Sequence, residues 1–407
     1  MSKFQKILYR VEVALIALLT VAAVVLAVVG VVNTNKSVDS YSYVGSMEMV
    51  RAGTAEDEGY SEDDTICKVE YVSEDGEYSC WVTYSYEEWE SLEEGKKITA
   101  YLYELEDGNI VALDKENASK EDIVPVARDM YAAQMSMVYS AAIAIALVAI
   151  GLAVITFWGK FFTPYEKIWF ISILVLASIF SIIFPEEDIN GINGIWIMVL
   201  YLLDTFLNIL CELLISKQSK WNFIVSVFVE ITEIAVCVLL AYRFATMATT
   251  LFFWLPIDII SFINWHRHPD KKEEELTQVR KLSGLAAVLV ITGIVVWTVV
   301  VGYFLSGLDI VTDLFGGNQV LANVVVYIDA CASAVGIANG VFILLRFREQ
   351  WIAWYICSIL EAVINILSGQ MVLLVLKVGY LTNTTYGYIK WTKYINSRKQ
   401  LNEPAKE

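Results

Sequence analysis

Runs of about twenty apolar residues recur along this chain, and no other feature constrains its fold as tightly. A helix needs about 20 residues to cross a bilayer core of ~30 Å. Ten stretches meet that length: 11–33, 136–158, 166–184, 195–216, 222–242, 247–265, 283–306, 323–345, 350–367 and 371–391. Hydrophobic residues make up 57% of the 407, above the ~45–50% of soluble chains. The expected fold class is therefore an all-α polytopic membrane protein. Its first run follows Lys3, Lys6 and Arg10, is longer than a signal-peptide core and lacks a clear cleavage site. It is expected to be a retained anchor, with a cleaved signal as the alternative.

Charge marks the one segment that breaks this pattern. Residues 34–134 carry 25 acidic against 8 basic side chains, which accounts for the whole formal charge of -17. With no basic face, nucleic acid is not an expected partner class. The segment alternates apolar and polar residues and carries Asp75-Gly76 and Asp107-Gly108, the signals of tight hairpin turns. It predicts a small antiparallel β-domain of four or five strands inserted between the first two spans. A hairpin centred on Asp75-Gly76 pairs Cys80 with Tyr71 and Cys67 with Tyr84. The sulfurs then lie four residues out of register, ~13 Å along the strands, which is beyond disulfide reach. Both are expected to be free thiols. "EDEGYSEDD" lacks the spaced ligands of a calcium loop and reads as a disordered loop.

Lys and Arg collect on cytoplasmic loops. Placing the amino terminus inside puts "GKFFTPYEK", "SKQSK", "HRHPDKKEEELTQVRK", "RFREQ" and the carboxyl-terminal tail inside, all basic-rich. The acidic insert then faces out, and only Arg243 sits on the wrong side. The expectation is a multi-pass protein of the cell membrane with both termini cytoplasmic and residues 34–134 extracellular. Trp158, Trp221, Trp265, Trp351 and Trp391 all fall at cytoplasmic span ends and are expected to form an interfacial belt.

The later spans hold an internal repeat. "LPIDIISFINW" (Leu255–Trp265) and "LTNTTYGYIKW" (Leu381–Trp391) are equal in length, start with Leu and end in Ile-x-Trp, 126 residues apart. Each closes a set of three spans, and one span joins the sets. A 3+1+3 plan gives both halves the same orientation, a known transporter architecture with its site near the membrane midplane. The expected divisions are 1–33, 34–134, 135–192, 193–265, 266–306, 307–393 and 394–407. They comprise first span, β-domain, two extra spans, first repeat, loop with linker span, second repeat and tail.

Several stretches resemble the PnuC-type transporters of nicotinamide riboside. They are "PYEKIWFISILVLASIFSIIFPEED", "FFWLPIDIISFINW", "YIDACASAVGIANGVFILLRFREQWIAWYICSILEAVINI" and "YLTNTTYGYIKW". The last is similar to a Tyr-Leu-x-Asn-x-x-Tyr-Gly-Tyr-Ile-x-Trp pattern that closes that family's core. The resemblance covers about residues 163–393. It implies a SWEET-like core, a homotrimer, and facilitated diffusion of a vitamin or nucleoside precursor followed by metabolic trapping. Thiamine, riboflavin and deoxynucleosides are the related substrates. Asn222, Trp351, Trp354, Asn383 and Tyr386 agree with the pattern. The chain departs from it at Asp258 (an amide Gln in the family), Ser358 (Asn), near Lys377 (an aromatic) and near Gly340 (Gln).

Ionisable residues inside spans point to the same region. A charge at the bilayer centre costs ~2.5–3.5 kcal/mol on insertion scales, so Asp204, Glu212, Glu230, Glu233, Asp258, Asp329, Glu361 and Lys377 should face partners or water. Asp258 and Thr384 are repeat equivalents, as are Trp254 and Tyr380. Two symmetric aromatics are suited to clamp a flat ring. One expectation is an ion pair between Lys377 and Glu230 or Glu233; the other is that one carboxylate, Asp258 foremost, meets a polar or cationic group of the substrate, which a pyridinium or thiazolium would suit. Pro256 predicts a kink beside Asp258. The candidate substrate-binding residues are Trp254, Asp258, Trp354, Ser358, Lys377, Tyr380, Asn383 and Tyr386.

No P-loop, zinc-protease motif or dinucleotide fingerprint occurs, and the two histidines, His266 and His268, share one charged loop. No catalysis, cofactor or metal is expected. The functional expectation is a non-enzymatic carrier of a vitamin or nucleoside precursor. A membrane sensor or scaffold with a degenerate transporter core is the alternative.

Overall fold

The computed structural model describes all residues except 1–2, 59, 61–64, 159–160, 187, 189–191, 241–242, 269–278, 307–314, 316–317 and 403–407, and no side chains for 3–5, 8, 56–57 and 398–402. The chain divides into two compact units, one of Val25–Tyr139 and one of Met1–Val24 with Ser140–Glu407.

The smaller unit is built on strands β1 (Tyr41–Arg51), β2 (Cys67–Val72), β3 (Ser79–Tyr84), β4 (Lys97–Leu105) and β5 (Ile110–Leu113). They form one antiparallel sheet in the order β3-β2-β1-β4-β5. Gly76 and Gly108 take φ of +70° and +82°, the left-handed conformation that Asp-Gly turns require and that glycine adopts without strain. The β2–β3 register pairs Cys67 with Tyr84 and Tyr71 with Cys80, as the turn position predicts, and neither cysteine is in a disulfide. Of "EDEGYSEDD", only part lies among the described residues. There, α2 (Ala55–Glu58) presents Glu58 to Arg51, with Nη2 to Oε2 at 2.6 Å.

The larger unit is helical. Long helices α1 (Lys3–Thr34) and α4 (Lys120–Phe157) carry chain of both units. They are followed by α5 (Pro164–Ile183), α6 (Gly194–Ser216), α7 (Asn222–Leu240), α8 (Phe244–Thr249), α9 (Leu255–Arg267), α10 (Gly284–Leu305), α11 (Gln319–Leu345), α12 (Gln350–Leu367) and α13 (Met371–Asn402). Short α3 (Tyr86–Glu90) belongs to the β unit. Among the described residues, nine helical segments are long and apolar enough to cross a membrane. The tenth expected span, 371–391, is the first part of α13. Lys377 and the run Thr382–Thr385 lower the hydropathy within that stretch itself, so it falls short of the other nine.

Burial separates helices of similar hydropathy. The apolar window of α10 has no residue buried, whereas 78% of that of α6 is buried. α6 is the central helix, and α10 turns an all-apolar surface outward, as lipid contact demands. α8–α9 packs on α11, and α13 packs on α6.

Two expectations change. Trp265, Trp351 and Trp391 are not belt residues. They are 2%, 0% and 0% exposed and pack on one another, with Trp391 centred 6.2 Å from Trp265 and 5.7 Å from Trp351. Only Trp158 and Trp221 face outward. Hydropathy locates the end of a helix but not the side on which its indole points. Arg243 is no misplaced loop charge either. It is buried, with Nη2 3.3 Å from Glu233 and 3.2 Å from Glu361.

Candidate functional site

Pro256 shapes the site. Proline has no N–H to return to the preceding turn, and the turn before it, Thr250–Trp254, widens to a π-helix between α8 and α9. Such bulges recur at functional sites. This one turns Trp254 inward, against a groove on α11 kept open by glycines. A Cβ at Gly336 would lie 3.6 Å from Trp254 Nε1, and one at Gly340 would press on the rings of Phe253 and Trp254.

Trp254 stacks on Trp354 of α12, with centroids 6.2 Å apart and planes 12° off parallel. Trp354 in turn lies 5.5 Å from Tyr380 of α13. The two repeat-equivalent aromatics thus do not touch; Trp354 stands between them and completes a row of three rings. Tyr380 is anchored by donating its hydroxyl to Asn208 Oδ1 on α6.

This row borders a cavity lined by residues of α6, α7, α8, α9, α11, α12 and α13. Polar groups from both repeats reach it, including Asn208, Glu212, Glu230 and Asp258 from the first and Ser333, Glu361 and Lys377 from the second. Lys377 Nζ lies 2.5 Å from Glu361 and 4.9 Å from the centre of the Tyr380 ring. Its ion-pair partner is Glu361 and neither of the carboxylates expected from sequence, because α12 packs directly beside α13.

Five of the eight sequence candidates therefore meet at the cavity: Trp254, Asp258, Trp354, Lys377 and Tyr380. Asn383 lies just behind its wall, fully buried, donating to the Glu212 carboxylate at 2.9 Å and to the Glu212 carbonyl at 3.2 Å. Ser358 is fully buried next to the lining residue Cys357. Tyr386 lies elsewhere. Its hydroxyl donates to Glu166 at 3.0 Å and its ring rests on Tyr165 at 4.6 Å. Glu166 also binds Lys217 at 2.8 Å and Lys390 at 3.2 Å while closing the capping box of α5 with Thr163. Tyr386 thus ties α13 to α5. Thr382 does the same by accepting from Trp169 Nε1 at 2.8 Å. Asp258 and its repeat equivalent Thr384 are both buried, and no hydrogen bond joins them among the described residues.

Asn208 was not singled out by sequence reasoning. Its signal was the face Asp204, Asn208, Cys211, Glu212 and Ile215 on one helix, at the spacing of three and four that shares a side.

Chemically, the cavity offers stacked aromatic faces, hydrogen-bond donors and acceptors, and an excess of carboxylates. The profile of the family described as "Nicotinamide mononucleotide transporter" matches residues 198–393. The chain is similar to proteins named nicotinamide riboside transporter PnuC. One is from Neisseria mucosa, 23% identical over 242 residues that cover 57% of this chain and 82% of the relative. Another is from Haemophilus influenzae, 24% identical over 239 residues that cover 57% of this chain and 91% of the relative. A solved structure, "Crystal structure of the Vitamin B3 transporter PnuC", is 23% identical with a TM-score of 0.45, covering 58% of this chain and 94% of that one.

Proposed function

We propose, from the premise that residues 198–393 belong to the PnuC family of transporters, that this membrane transporter takes up nicotinamide riboside or a closely related vitamin or nucleoside precursor. The observation that carries the reading is the row Trp254–Trp354–Tyr380 at a polar cavity between the two repeats. A flat ring of the substrate stacks on these aromatics, and Asn208, Ser333 and Asp258 meet its polar groups. Trp254, Asp258, Trp354, Lys377 and Tyr380 are the proposed contact residues, with Ser358 and Asn383 as supports behind them.

Uptake proceeds by facilitated diffusion, with trapping of the product inside the cell and no catalytic step in the chain. Basic loops put both termini in the cytoplasm and the β unit outside, and the family likeness supports a homotrimer. Thiamine, riboflavin and deoxynucleosides are the competing substrates within the same reading.

A thermal-shift panel of these compounds on the purified protein tests it. Nicotinamide riboside is expected to raise the melting temperature in a saturable way, and Trp354→Ala to abolish that shift. A panel in which none of the four classes shifts the protein would remove the substrate reading.

A further inference from the structure

The buried acids of the helical unit fall into two groups. Most have an evident partner. Asp204 accepts from the Thr232 hydroxyl at 2.6 Å, and Glu212 from Asn383 at 2.9 Å. Asp329 accepts from the Ala245 amide at 3.0 Å and the Thr246 hydroxyl at 2.5 Å. Glu233 and Glu361 share Arg243, and Glu361 also holds Lys377.

Glu230 and Asp258 differ. Both face the cavity, and they are only 7% and 3% exposed. Among the described residues, the one side chain that hydrogen-bonds either is Ser226, whose hydroxyl lies 3.4 Å from Glu230 Oε1. A single hydroxyl has one proton to give, so it cannot satisfy both carboxylates at once. Asp258 Oδ2 has no hydrogen-bond partner among the described residues. α7, which carries Glu230, packs on α9, which carries Asp258, and both side chains line the same cavity.

Neighbouring charges do not relieve the pair. The titratable groups facing it are Cys211, Glu212 and Asp204 from α6 and Glu233 from α7. Cys357 and Glu361 of α12, Lys377 and Tyr380 of α13, and Arg243 complete the set. The two cations among these, Arg243 and Lys377, sit within ion-pair distance of Glu233 or Glu361 and of neither member of the pair. Two like charges buried in one cavity do not both ionise without a positive partner. A proton supplies that charge, or a bound cation does. Trp254 lies one helical turn before Asp258 and stacks on Trp354. An aromatic cation lying on these rings brings its charge to the carboxylates.

We propose that Glu230 and Asp258 form one site that holds either a proton or the positive charge of an aromatic cation of the pyridinium or thiazolium class. Binding of the cation therefore expels one proton. This rests on the reading that the cavity is the substrate cavity. The exchange conserves charge: one proton leaves to water as one cation enters. Affinity for the cation then falls as pH falls, by up to tenfold per unit where the empty pair is protonated, while a neutral ligand of similar shape shows no such dependence.

Titration calorimetry in two buffers of different ionisation enthalpy counts the protons. The probes are nicotinamide riboside, 1-methylnicotinamide and thiamine as cations, with riboflavin and deoxyinosine as neutral comparisons. About one proton released per bound cation is expected from one-for-one exchange, and none for a neutral ligand. Glu230→Gln and Asp258→Asn are expected to lose the release, and Glu230→Asp to retain it. Infrared spectra of the ligand-free protein are expected to show a protonated carboxylic acid that either amide variant removes. Cation binding without proton release overturns the proposal, as does failure of every cation in the panel to bind. If none of nicotinamide riboside, thiamine, riboflavin and deoxyinosine binds but 1-methylnicotinamide binds with proton release, the substrate reading falls and the paired site stands.

Discussion

Replacing Arg243 with Met removes the cation that ties the first repeat to the second. Arg243 is 3% exposed, with Nη2 3.3 Å from Glu233 and 3.2 Å from Glu361. Glu361 keeps Lys377 at 2.5 Å, so the loss falls mainly on Glu233, which is left without a cation at ion-pair distance among the described residues. Breaking a buried pair by removing one partner costs about 3–5 kcal/mol, chiefly because an uncompensated charge stays buried. At ~2–4 °C per kcal/mol for a unit of this order of size, the melting temperature should fall on the order of 10 °C. The assay is thermal unfolding of detergent-purified protein, followed by tryptophan fluorescence. The double variant Arg243→Met/Glu233→Gln removes the stranded charge as well and should recover more than half of the loss. A single variant that melts within about 2 °C of wild type, or a double variant no more stable than the single, would refute the argument that Arg243 acts as a buried counter-charge.

Gly387→Ala is expected to destabilise by about 1–3 kcal/mol, because its Cβ would overlap the buried Trp351 ring. Gly379→Ala, whose Cβ would meet Ile173 at an ordinary 3.4 Å, is expected to melt near wild type. Equal effects of the two would remove the packing explanation. In the β unit, burial pushes the Cys80 thiol up to about 12. Maleimide should therefore label it only after unfolding, and a non-reducing gel should show the same mobility with and without reductant; a reductant-dependent band would mean a disulfide. Burial alone would raise Asp107, but Lys36, Tyr131 and Asn109 hydrogen-bond its carboxylate and hold it well below the usual range. A depressed carboxylate stabilises the fold above its unfolded value of ~4 and loses that contribution only as pH falls through the folded value. Acid titration of wild type and Asp107→Asn by circular dichroism should show the variant less dependent on acid pH, and identical curves would count against this role.

Local rules carried far in parts of this chain. Asp75-Gly76 centres the loop between Val72 and Ser79, and that position sets every pair of the β2–β3 register, including the separation of Cys67 from Cys80. The widened turn ahead of Pro256 follows from one missing N–H. What stayed hidden depended on which way a side chain faces. Trp265, Trp351 and Trp391 have the sequence context of membrane-interface residues, yet they point into the helix bundle. Arg243 reads as a loop charge until Glu361, 118 residues away, is brought beside it. Lys377 found the same partner, since the partner of a buried charge is chosen by helix packing and not by chain distance. The polar run Thr382–Thr385 divides its work in a way that its spacing alone does not reveal. Thr382 binds α5, Asn383 binds α6, Thr384 is buried, and Thr385 bonds Tyr355 of α12.

Uptake of labelled nicotinamide riboside into proteoliposomes tests the central claim most directly. The account predicts saturable entry above that of protein-free vesicles, competition by unlabelled compound, and loss of entry in Trp354→Ala protein that remains folded. Entry no faster than in protein-free vesicles, for this compound and for thiamine, riboflavin and deoxynucleosides alike, would contradict it.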